Sequence, residues 1–539
     1  MKTPTHRMTM VLLLLFPIVF GTFANESEKV EFVVSYSPAT VRYNPIHTYT
    51  TTEAQIYTAL YEGLVTYNPV TLEPIPAVAG SWDISENGTL YRFYIRENAR
   101  YWNGDRVTAD HFRDTWLKLL APETEAEYAS LLDIIKNAKK YRKGVITDPD
   151  KVGITVRGER ILEVTLKHPA THFLKVLCHH SFVPIHPEML DHTDWTQFAS
   201  ILSNGPFYIV KKTDSKMTLH KNQLYWDRKN VDVDLLRIEF IDDPLETVQR
   251  YNMGQIDWAT ADFFQHFDKL LTPDDLVVNP LFATNYFFFS CDTEPWSDPK
   301  VRNGLALLFP WQEIRKDRYF PTSAIVPAIR HYPEVSGIES QNIEKGLNLL
   351  QEAGYPNGKG LPPVKIAVPT GGESVRIAGL MKQAILQHTE MDVEISTHEY
   401  PGYFDYLQNK DSDYTLGTIT WIGDFPDPLT FLSMWEDDSN LNDAGFSDET
   451  YNSLLRESMS QSGLKRYKTL SEAEKLLLEK AAVLPISNSP SFQLINLRRW
   501  KGWIPNQLDI HPFKYLKYSP FEPIPNVASF KMPLQKNRR

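Results

Sequence analysis

Apolar residues alternate with polar ones in several short segments, and this alternation predicts half-buried β-strands. Tyr91, Phe93 and Ile95 are spaced so that they share one face of such a strand. Residues 30–36 and Leu416–Ile422 are apolar over most of their length, which predicts strands that are buried more deeply. A strand, turn and strand pattern predicts three further strands, at residues 207–210, 217–220 and 235–240.

Capping residues mark the predicted starts of two helices in the first part of the chain. Thr50-x-x-Glu53 and Thr52-x-x-Gln55 are both capping boxes, and the helix that they open is expected to end near Gly63. The second helix is predicted from a capping threonine followed by an apolar stripe, Thr108, Phe112, Trp116, Leu119 and Leu120.

The C-terminal half shows the pattern of an α/β fold. Residues 364–368 predict a strand, residues 374–388 a helix and residues 393–396 a second strand. A strand, helix, strand unit of this kind implies a parallel sheet that is covered on both faces. Two more helices are predicted at residues 448–460 and 465–484.

The N-terminus has the features of a secretory signal peptide. Lys2 and Arg7 form a basic region, an apolar core of residues 10–20 follows, and Thr22 and Ala24 supply small residues near a cleavage point. The alternative, an uncleaved membrane anchor, is disfavoured because the apolar core is too short to span a bilayer comfortably. We therefore expect residues 1–24 to be removed and the mature protein to be exported.

The positions of the cysteines indicate whether the exported protein is expected to carry a lipid anchor. A lipid-anchored protein would need a cysteine at the cleavage site, and none lies near residue 25, so a free periplasmic protein is expected. Cys178 and Cys291 are the two cysteines of the chain. They could pair in an oxidising compartment, but we expect each to be a small buried hydrophobic residue.

Composition and charge exclude several classes of protein. The 539 residues are 42% hydrophobic and 23% charged, which excludes wholesale disorder. Lys and Arg total 56 against 67 Asp and Glu, so the formal net charge is −11. A net acidic chain is not expected to bind nucleic acid or anionic membranes in general.

Motifs of enzymatic chemistry are missing from the sequence. It contains no G-x-S-x-G, no G-x-x-x-x-G-K-[ST], no G-x-G-x-x-G, no H-E-x-x-H and no C-x-x-C. We therefore expect neither an enzyme nor a resident cofactor. A peptidase or glycosidase built on Asp424 and Asp427 is the enzymatic alternative.

Histidines are concentrated between residues 168 and 192. The cluster consists of His168, His172, Cys178, His179, His180, His186 and His192. Imidazole and thiolate groups are metal ligands, but this spacing matches no known ligand pattern. Ordinary surface and core histidines are therefore expected, with metal binding as the alternative.

The segment Trp421-Ile422-Gly423-Asp424-Phe425 is the strongest candidate for a binding site. It follows a predicted strand, which places Asp424 at the C-terminal edge of a sheet, where ligands of open α/β sheets collect. A carboxylate there can pair with a cation, and aromatic neighbours that exclude water strengthen the pairing. The alternative is an ordinary aspartate that caps a turn.

Taken in order, several motifs closely resemble those of the extracytoplasmic oligopeptide-binding proteins of ABC importers, the family 5 solute-binding proteins. The motifs are Tyr61-Glu62-Gly63-Leu64-Val65, residues 76–82, residues 87–96, Trp102-Asn103-Gly104-Asp105, Val107-Thr108-Ala109-Asp110, Asn204-Gly205-Pro206-Phe207, Tyr225-Trp226-Asp227 and residues 421–428. They extend over essentially the whole mature chain.

The resemblance implies a bilobal periplasmic-binding-protein fold with two α/β lobes joined by two hinge strands. It further implies three domains: a discontinuous domain I of residues 25–61, 200–290 and 505–539, a domain II of residues 62–199, and a domain III of residues 291–504. A short peptide would lie enclosed between the lobes, paired mainly through its backbone. Closure would then present the monomeric protein to the permease of an ABC importer.

The resemblance also implies the contacts to the peptide. Asp424 matches the carboxylate that pairs with the peptide α-ammonium group. The other matched positions are a backbone-pairing strand edge at Trp421, Ile422 and Gly423, first-domain contacts at Tyr49 and Thr51, and a second-domain aromatic contact at Tyr128. Tyr400 and Trp503 match aromatic pocket walls, with core packing as an equal alternative.

One departure from the family pattern bears on the ligand. Thr418 stands where tripeptide-binding relatives carry an arginine for the peptide C-terminus, and a histidine expected near Val375 is absent. Arg376 is the neighbouring residue that could substitute. The alternatives that remain open are dipeptides or longer peptides, a non-peptide cargo such as a metal chelate, haem or a sugar, and a peptide sensor without a transport role.

Overall fold

The structure is a computed structural model that describes residues 29–519, except 171, 193, 261–263, 401 and 410. The predicted signal peptide, residues 1–24, lies outside the described residues. The same holds for residues 520–539 at the end of the expected domain I.

The strands of the described residues fall into one large sheet and three small ones. They are β1 (Glu31–Tyr36), β2 (Val65–Tyr67), β3 (Pro74–Pro76), β4 (Ala79–Ile84), β5 (Leu90–Ile95), β6 (Ile154–Val156), β7 (Ile161–Thr165), β8 (Phe207–Thr213), β9 (Lys216–Lys221), β10 (Leu235–Phe240), β11 (Trp258–Thr260), β12 (Leu276–Phe289), β13 (Phe320–Pro321), β14 (Val364–Pro369), β15 (Val393–His398), β16 (Leu416–Ile422), β17 (Val483–Ile495), β18 (Trp500–Lys501) and β19 (Lys517–Tyr518).

The helices cover the sheets and connect their strands. They are α1 (Thr51–Leu60), α2 (Ala109–Leu120), α3 (Ala138–Arg142), α4 (Phe173–Val176), α5 (Pro187–Leu190), α6 (Pro244–Asn252), α7 (Pro299–Ala306), α8 (Trp311–Ile314), α9 (Ile343–Glu352), α10 (Gly372–His388), α11 (Gly402–Gln408), α12 (Leu429–Leu432), α13 (Glu449–Met459) and α14 (Gly463–Glu479). Among the residues that the structure describes, no helix is long and apolar enough to cross a membrane.

The large sheet is mixed and runs through the whole molecule. Its strand order is β15-β14-β16-β12-β17-β11-β1-β10-β9-β8, and β13 pairs with β17 at the side. A separate four-stranded sheet has the order β4-β5-β7-β6, and β2–β3 and β18–β19 form two small hairpin-like sheets.

Two long strands, β12 and β17, lie side by side in the middle of the large sheet and pair antiparallel. The chain passes through β12 from residues 29–275, here called the first lobe, to residues 291–482, here called the second lobe. It returns through β17. These two strands are the connections between the lobes that a bilobal fold requires.

Several predicted elements are confirmed. In β5, the alternating residues Tyr91, Phe93 and Ile95 are all buried. The predicted strand, helix, strand unit is β14, α10 and β15, and its two strands pair in parallel. The sheet around them is mixed rather than wholly parallel, because β16 pairs antiparallel with β12.

The end of the predicted helix 465–484 is wrong. Helix α14 ends at Glu479, and Ala481 adopts a left-handed backbone conformation with φ of 47°, which the helix cannot continue through. Val483 and Leu484, expected in the helix, are the first residues of β17. Their apolar side chains are buried in the large sheet rather than on a helix face.

The capping box at Thr50 is confirmed, and it fixes the start of α1. Thr50 is the N-cap residue, and its side chain accepts a hydrogen bond from the Glu53 backbone N–H at 3.2 Å. The Glu53 carboxylate in turn accepts backbone N–H groups of Tyr49 and Arg42, at 3.1 and 2.9 Å. The helix ends at Leu60, before the expected Gly63. This cap fixes the positions of Tyr49, Thr50 and Thr51, which line the space between the lobes.

Both cysteines are free thiols. Cys291 is buried, as expected for a small hydrophobic residue, and Cys178 is partly exposed. Burial raises the pKa of both thiols above its usual value, so both are uncharged at neutral pH.

Candidate functional site

A pocket lies between the two lobes and is here called the ligand chamber. It is lined by residues of both lobes and of the segment after β17: Tyr49, Thr50, Thr51, Ala54, Tyr67, Tyr128, His179, His180, Thr420, Trp421, Ile422, Gly423, Asp424, Leu508, Asp509 and Ile510.

Asp424 stands directly after strand β16, and the first turn of α12 holds it in place. Its backbone N–H donates to the Thr430 Oγ1 atom at 2.8 Å, and the Thr430 hydroxyl donates to Asp424 Oδ2 at 3.2 Å. From the first lobe, the Tyr67 hydroxyl donates to the Asp424 carbonyl oxygen at 2.9 Å. The position of the carboxylate is therefore set by both lobes.

A buried ion pair stabilises the loop that carries Asp424. Arg466 of α14 donates to both carboxylate oxygens of Asp427, at 2.7 and 2.8 Å. Asp427 Oδ1 also accepts the Leu429 backbone N–H at 3.0 Å. Burial alone would raise the pKa of Asp427, but the bonds and charge of Arg466 bring it below its usual value. Asp427 is thus a charged anchor of the loop and does not line the chamber.

The Asp424 carboxyl is buried without a permanent cation beside it. Its side chain is 12% exposed, and His179 Nε2 lies 3.4 Å from its Oδ1 atom. Within the described part of the chain, no Lys or Arg nitrogen lies within 4 Å of this carboxylate. Burial raises the pKa of Asp424 to about 7, and burial lowers the pKa of His179 to about 3, so this histidine is neutral.

Among the described residues, one edge of strand β16 has no strand partner over Thr420 to Ile422, which line the chamber. By contrast, the Thr418 backbone N–H and carbonyl are already bonded to the Tyr403 hydroxyl. On one side it pairs with β12 along its whole length, from Leu416 to Ile422. On the other side it pairs with β14 at Leu416 alone. The Trp421 indole N–H donates to the Thr430 carbonyl oxygen at 3.0 Å, which fixes its ring beneath the strand end. An extended chain can therefore pair with the open edge as an added strand.

The predicted first-lobe contacts are brought to the same chamber. Tyr49 lines it, and its hydroxyl donates to Asp443 Oδ2 of the second lobe at 3.2 Å. Thr51 lines it at the first position of α1. Tyr128 packs on the His179 ring with 4.2 Å between the ring centroids. With Asp424, Trp421, Ile422 and Gly423, seven of the ten predicted site residues thus line the ligand chamber.

Three predicted site residues do not line it. Trp503 is 4% exposed and stacks on His511 at 4.1 Å between centroids, so it belongs to the core, the alternative weighed for it above. Tyr400 is 50% exposed and packs on Phe404. Arg376 is engaged elsewhere, because its guanidinium donates to the Glu373 carboxylate at 2.7 Å.

Thr418 faces away from the chamber. Its side chain is buried, and its hydroxyl donates to the Tyr286 carbonyl oxygen at 2.9 Å. Its backbone N–H donates to the Tyr403 hydroxyl at 3.0 Å. The hydroxyl and the backbone N–H of Thr418 are therefore both bonded within the protein, and neither is free to contact a ligand.

The histidine cluster of the sequence is dispersed in the structure. His179 and His180 line the ligand chamber, whereas His186 Nε2 lies 3.0 Å from Asp105 in the first lobe. Among the described residues, no group of three or more His, Cys, Asp or Glu side chains is arranged to hold a metal ion. The spacing of these two histidines in the sequence does not reveal that they lie beside Asp424, which is more than 240 positions away.

A second pocket, here called the adjoining chamber, shares five lining residues with the ligand chamber: Ala54, Tyr67, His179, His180 and Ile510. Its lining is mostly apolar. At its edge, Lys514 Nζ lies 2.5 Å from Glu62 Oε1, and the Tyr225 hydroxyl donates to the same oxygen at 2.6 Å. The charges of Lys514 and Glu62 neutralise each other.

Comparison with a family model identifies a long match within the chain. The model described as "bacterial extracellular solute-binding proteins, family 5 middle" matches residues 73–443. The matched part contains β16 and Asp424, and therefore the strand edge and carboxylate of the ligand chamber.

Curated relatives and solved structures agree with this match. The dipeptide-binding protein DppE of Bacillus subtilis is 27% identical over 430 residues, covering 77% of this chain and 78% of that protein. The oligopeptide-binding protein OppA of the same organism is 28% identical over 455 residues, covering 79% and 81%. The crystal structure of the periplasmic oligopeptide-binding protein OppAIV of Borrelia burgdorferi superposes with a TM-score of 0.82 at 25% identity. That superposition covers 91% of this chain and 100% of the other.

Proposed function

Because the chain belongs to the bacterial extracellular solute-binding proteins of family 5, we propose that it captures short peptides between its lobes and delivers them to the permease of an ABC importer. Cleavage of residues 1–24, a free periplasmic location and a monomeric state are parts of this proposal. So is the division into three domains at the boundaries given above.

The observation that carries the proposal is the buried Asp424 carboxylate with neutral neighbours. Removing a carboxylate from water is costly unless a cation or several hydrogen-bond donors replace the water. The α-ammonium group of a peptide supplies a positive charge and three N–H donors at once. Binding of that group makes the charged form of Asp424 the favoured one.

The open edge of β16 supports a peptide as the rest of the ligand. Thr420 to Asp424 line the chamber. Of these residues, Thr420 to Ile422 belong to β16, and two residue steps of a strand span about 7 Å, the length of about two residues of an extended peptide. Backbone pairing along this edge would recognise peptides whatever their side chains are. DppE and OppA of Bacillus subtilis, whose names state dipeptide and oligopeptide binding, are similar over more than three quarters of this chain.

Thermal unfolding of residues 25–539 with short peptides tests the proposal. Each peptide is compared with a free and with an acetylated N-terminus. A ligand at about one hundred times its dissociation constant adds about 2.7 kcal/mol to the free energy of unfolding. We expect free peptides to raise the melting temperature and acetylated ones to raise it much less.

Two other outcomes have clear meanings. Equal stabilisation by free and acetylated peptides would retain peptide binding but remove the pairing with Asp424. No stabilisation across peptides of two to eight residues would contradict the proposed function and favour a non-peptide cargo on the same fold.

A further inference from the structure

His179 is held in one tautomer by its own turn. Its Nδ1 atom accepts the backbone N–H of Ser181 at 3.2 Å. A ring nitrogen that accepts a hydrogen bond carries no proton, so the single proton of the neutral ring is on Nε2. His179 Nε2 has no hydrogen-bond partner of good geometry among the described residues, and it lies 3.4 Å from Asp424 Oδ1. A buried N–H donor without a hydrogen-bond partner thus lies beside the carboxylate.

We propose that His179 is a positioning residue for Asp424: its neutral imidazole donates Nε2–H to Asp424 Oδ1 and favours the charged carboxylate that the ligand's ammonium group needs. This inference rests on the proposed function. Together with the Thr430 hydroxyl on Oδ2, it gives each carboxylate oxygen one neutral donor. The remaining lone pairs stay free for the ligand.

The neutrality of His179 is essential to this role. A protonated imidazole would itself pair with Asp424 and compete with the ammonium group of the ligand. The ring packs between Tyr128 and His180, at 4.2 and 4.0 Å between centroids, and its side chain is 3% exposed. Burial in this aromatic stack lowers the pKa of His179 to about 3, so the ring is a donor without charge at physiological pH.

The contact joins the two lobes. His179 belongs to the first lobe and Asp424 to the second, and the two groups lie 3.4 Å apart in the structure. The other titratable groups that face Asp424 or share its chamber are Tyr49, Tyr67, Tyr128, His180 and Asp509. Burial raises the pKa of the three tyrosines and lowers that of His180, so these four groups are neutral near pH 7. The Asp509 carboxylate accepts hydrogen bonds from Ser491 and Asn279.

The pH dependence of peptide affinity tests the role, with the variants His179→Leu and His179→Gln. The leucine variant removes the donor, whereas the glutamine amide can still donate from a similar position. Loss of a hydrogen bond to a charged group raises the pKa of ligand-free Asp424 by about one unit. We expect His179→Leu to bind a free-amine tripeptide about tenfold more weakly than wild type at pH 6 but within about twofold at pH 8.5.

The controls separate this role from simple packing. His179→Gln should recover a large part of the affinity at pH 6, and His192→Leu, the same substitution at an exposed member of the cluster, should bind like wild type. Circular dichroism and thermal unfolding establish that each variant is folded. An equal loss of affinity for His179→Leu at both pH values would show that His179 only fills space, and would overturn the inference.

A cycle with Asp424→Asn separates this inference from the proposed function. If Asp424→Asn weakens binding and His179→Leu has no further effect in that background, both stand. If Asp424→Asn leaves binding unchanged, the proposed pairing itself fails. If both substitutions weaken binding independently and at every pH, the pairing stands and the role of His179 falls.

Discussion

Asp424 combines burial, a charge and an incomplete set of partners, and this combination is typical of a residue kept for function. The neighbouring Asp427 shows the structural alternative in the same loop, because Arg466 satisfies both of its oxygens. The Asp424 carboxylate instead accepts a hydrogen bond from the neutral Thr430 hydroxyl, and burial raises its pKa to about 7. In the proposed function, the ammonium group of the ligand supplies the positive charge that Asp424 lacks.

Peptide affinity should therefore follow a bell-shaped pH dependence. Below pH 7 the ligand-free Asp424 becomes protonated, and above about pH 8 the peptide α-amino group loses its charge. Affinity should fall about twentyfold from its maximum near pH 7.5 to pH 5.5. Isothermal titration calorimetry with a peptide that has no ionisable side chain measures this profile, and affinity that stays constant down to pH 5 would contradict the raised pKa.

At the residue scale, local sequence predicted the position of Asp424 but not its surroundings. A carboxylate directly after an apolar strand lies at a sheet edge whatever the rest of the fold is, and this was sufficient to single it out. The opposing His179 and Tyr67 come from distant segments, which sequence patterns do not bring together. Trp503 was ambiguous because an aromatic side chain fits a core and a pocket wall equally well.

The loop after β16 depends on an ion pair that local sequence does not reveal. Asp427 and Arg466 are separated by 39 positions, and they form their ion pair where α14 packs against α12. Replacing Arg466 would leave the Asp427 carboxylate buried with the loss of its two strongest hydrogen bonds. The loop, and with it the position of Asp424, would then be less stable.

We expect Arg466→Met to lower the free energy of unfolding by about 3–5 kcal/mol, the usual result of breaking a buried ion pair from one side. Chemical denaturation of the ligand-free protein measures this change. Arg456→Met, which removes an exposed pair with Glu449, is the matched control and should cost at most about 1 kcal/mol. Equal costs for the two variants would contradict the structural role of the buried pair.

Long strands were the elements that sequence predicted least well. Strand β17 contains Pro485, Asn488 and Pro490, which interrupt any regular alternation, and its pairing with β12 includes register shifts. The two strands are also about 200 positions apart, so the sequence of one does not indicate that it pairs with the other. Short segments such as β5 and β16 were predicted because their own side chains carry the pattern.

At the scale of the whole molecule, a cluster of ion pairs and hydrogen bonds around Asp438 joins the two lobes outside the ligand chamber. Asp438 of the second lobe accepts Lys139 Nζ at 2.6 Å and Lys143 Nζ at 2.8 Å from the first lobe. Its carbonyl oxygen also accepts Arg142 Nη1 at 2.8 Å. These bonds lie outside the ligand chamber, so they act on closure rather than on ligand recognition.

Asp438→Ala should therefore speed ligand release without changing ligand preference. Loss of about 1 kcal/mol from a partly exposed network corresponds to about a fivefold increase in the dissociation rate. Stopped-flow displacement of a fluorescent peptide measures the rate at low and high salt. Asp437→Ala, at the exposed neighbouring position, is the control. An unchanged rate for Asp438→Ala at low salt would show that these ion pairs do not hold the lobes closed.

The central claim is that Asp424 pairs with the α-ammonium group of a bound peptide, and calorimetric titration of wild type and Asp424→Asn with one tripeptide tests it most directly. The peptide is used with a free and with an acetylated N-terminus, and Asp274→Asn, at an exposed position that lines neither chamber, is the matched control. We expect Asp424→Asn to weaken binding of the free peptide by at least about thirtyfold, equivalent to at least about 2 kcal/mol of binding free energy. Binding of the acetylated peptide should weaken by less than about threefold. Equal losses for both peptides, or no loss for the free one, would contradict the claim.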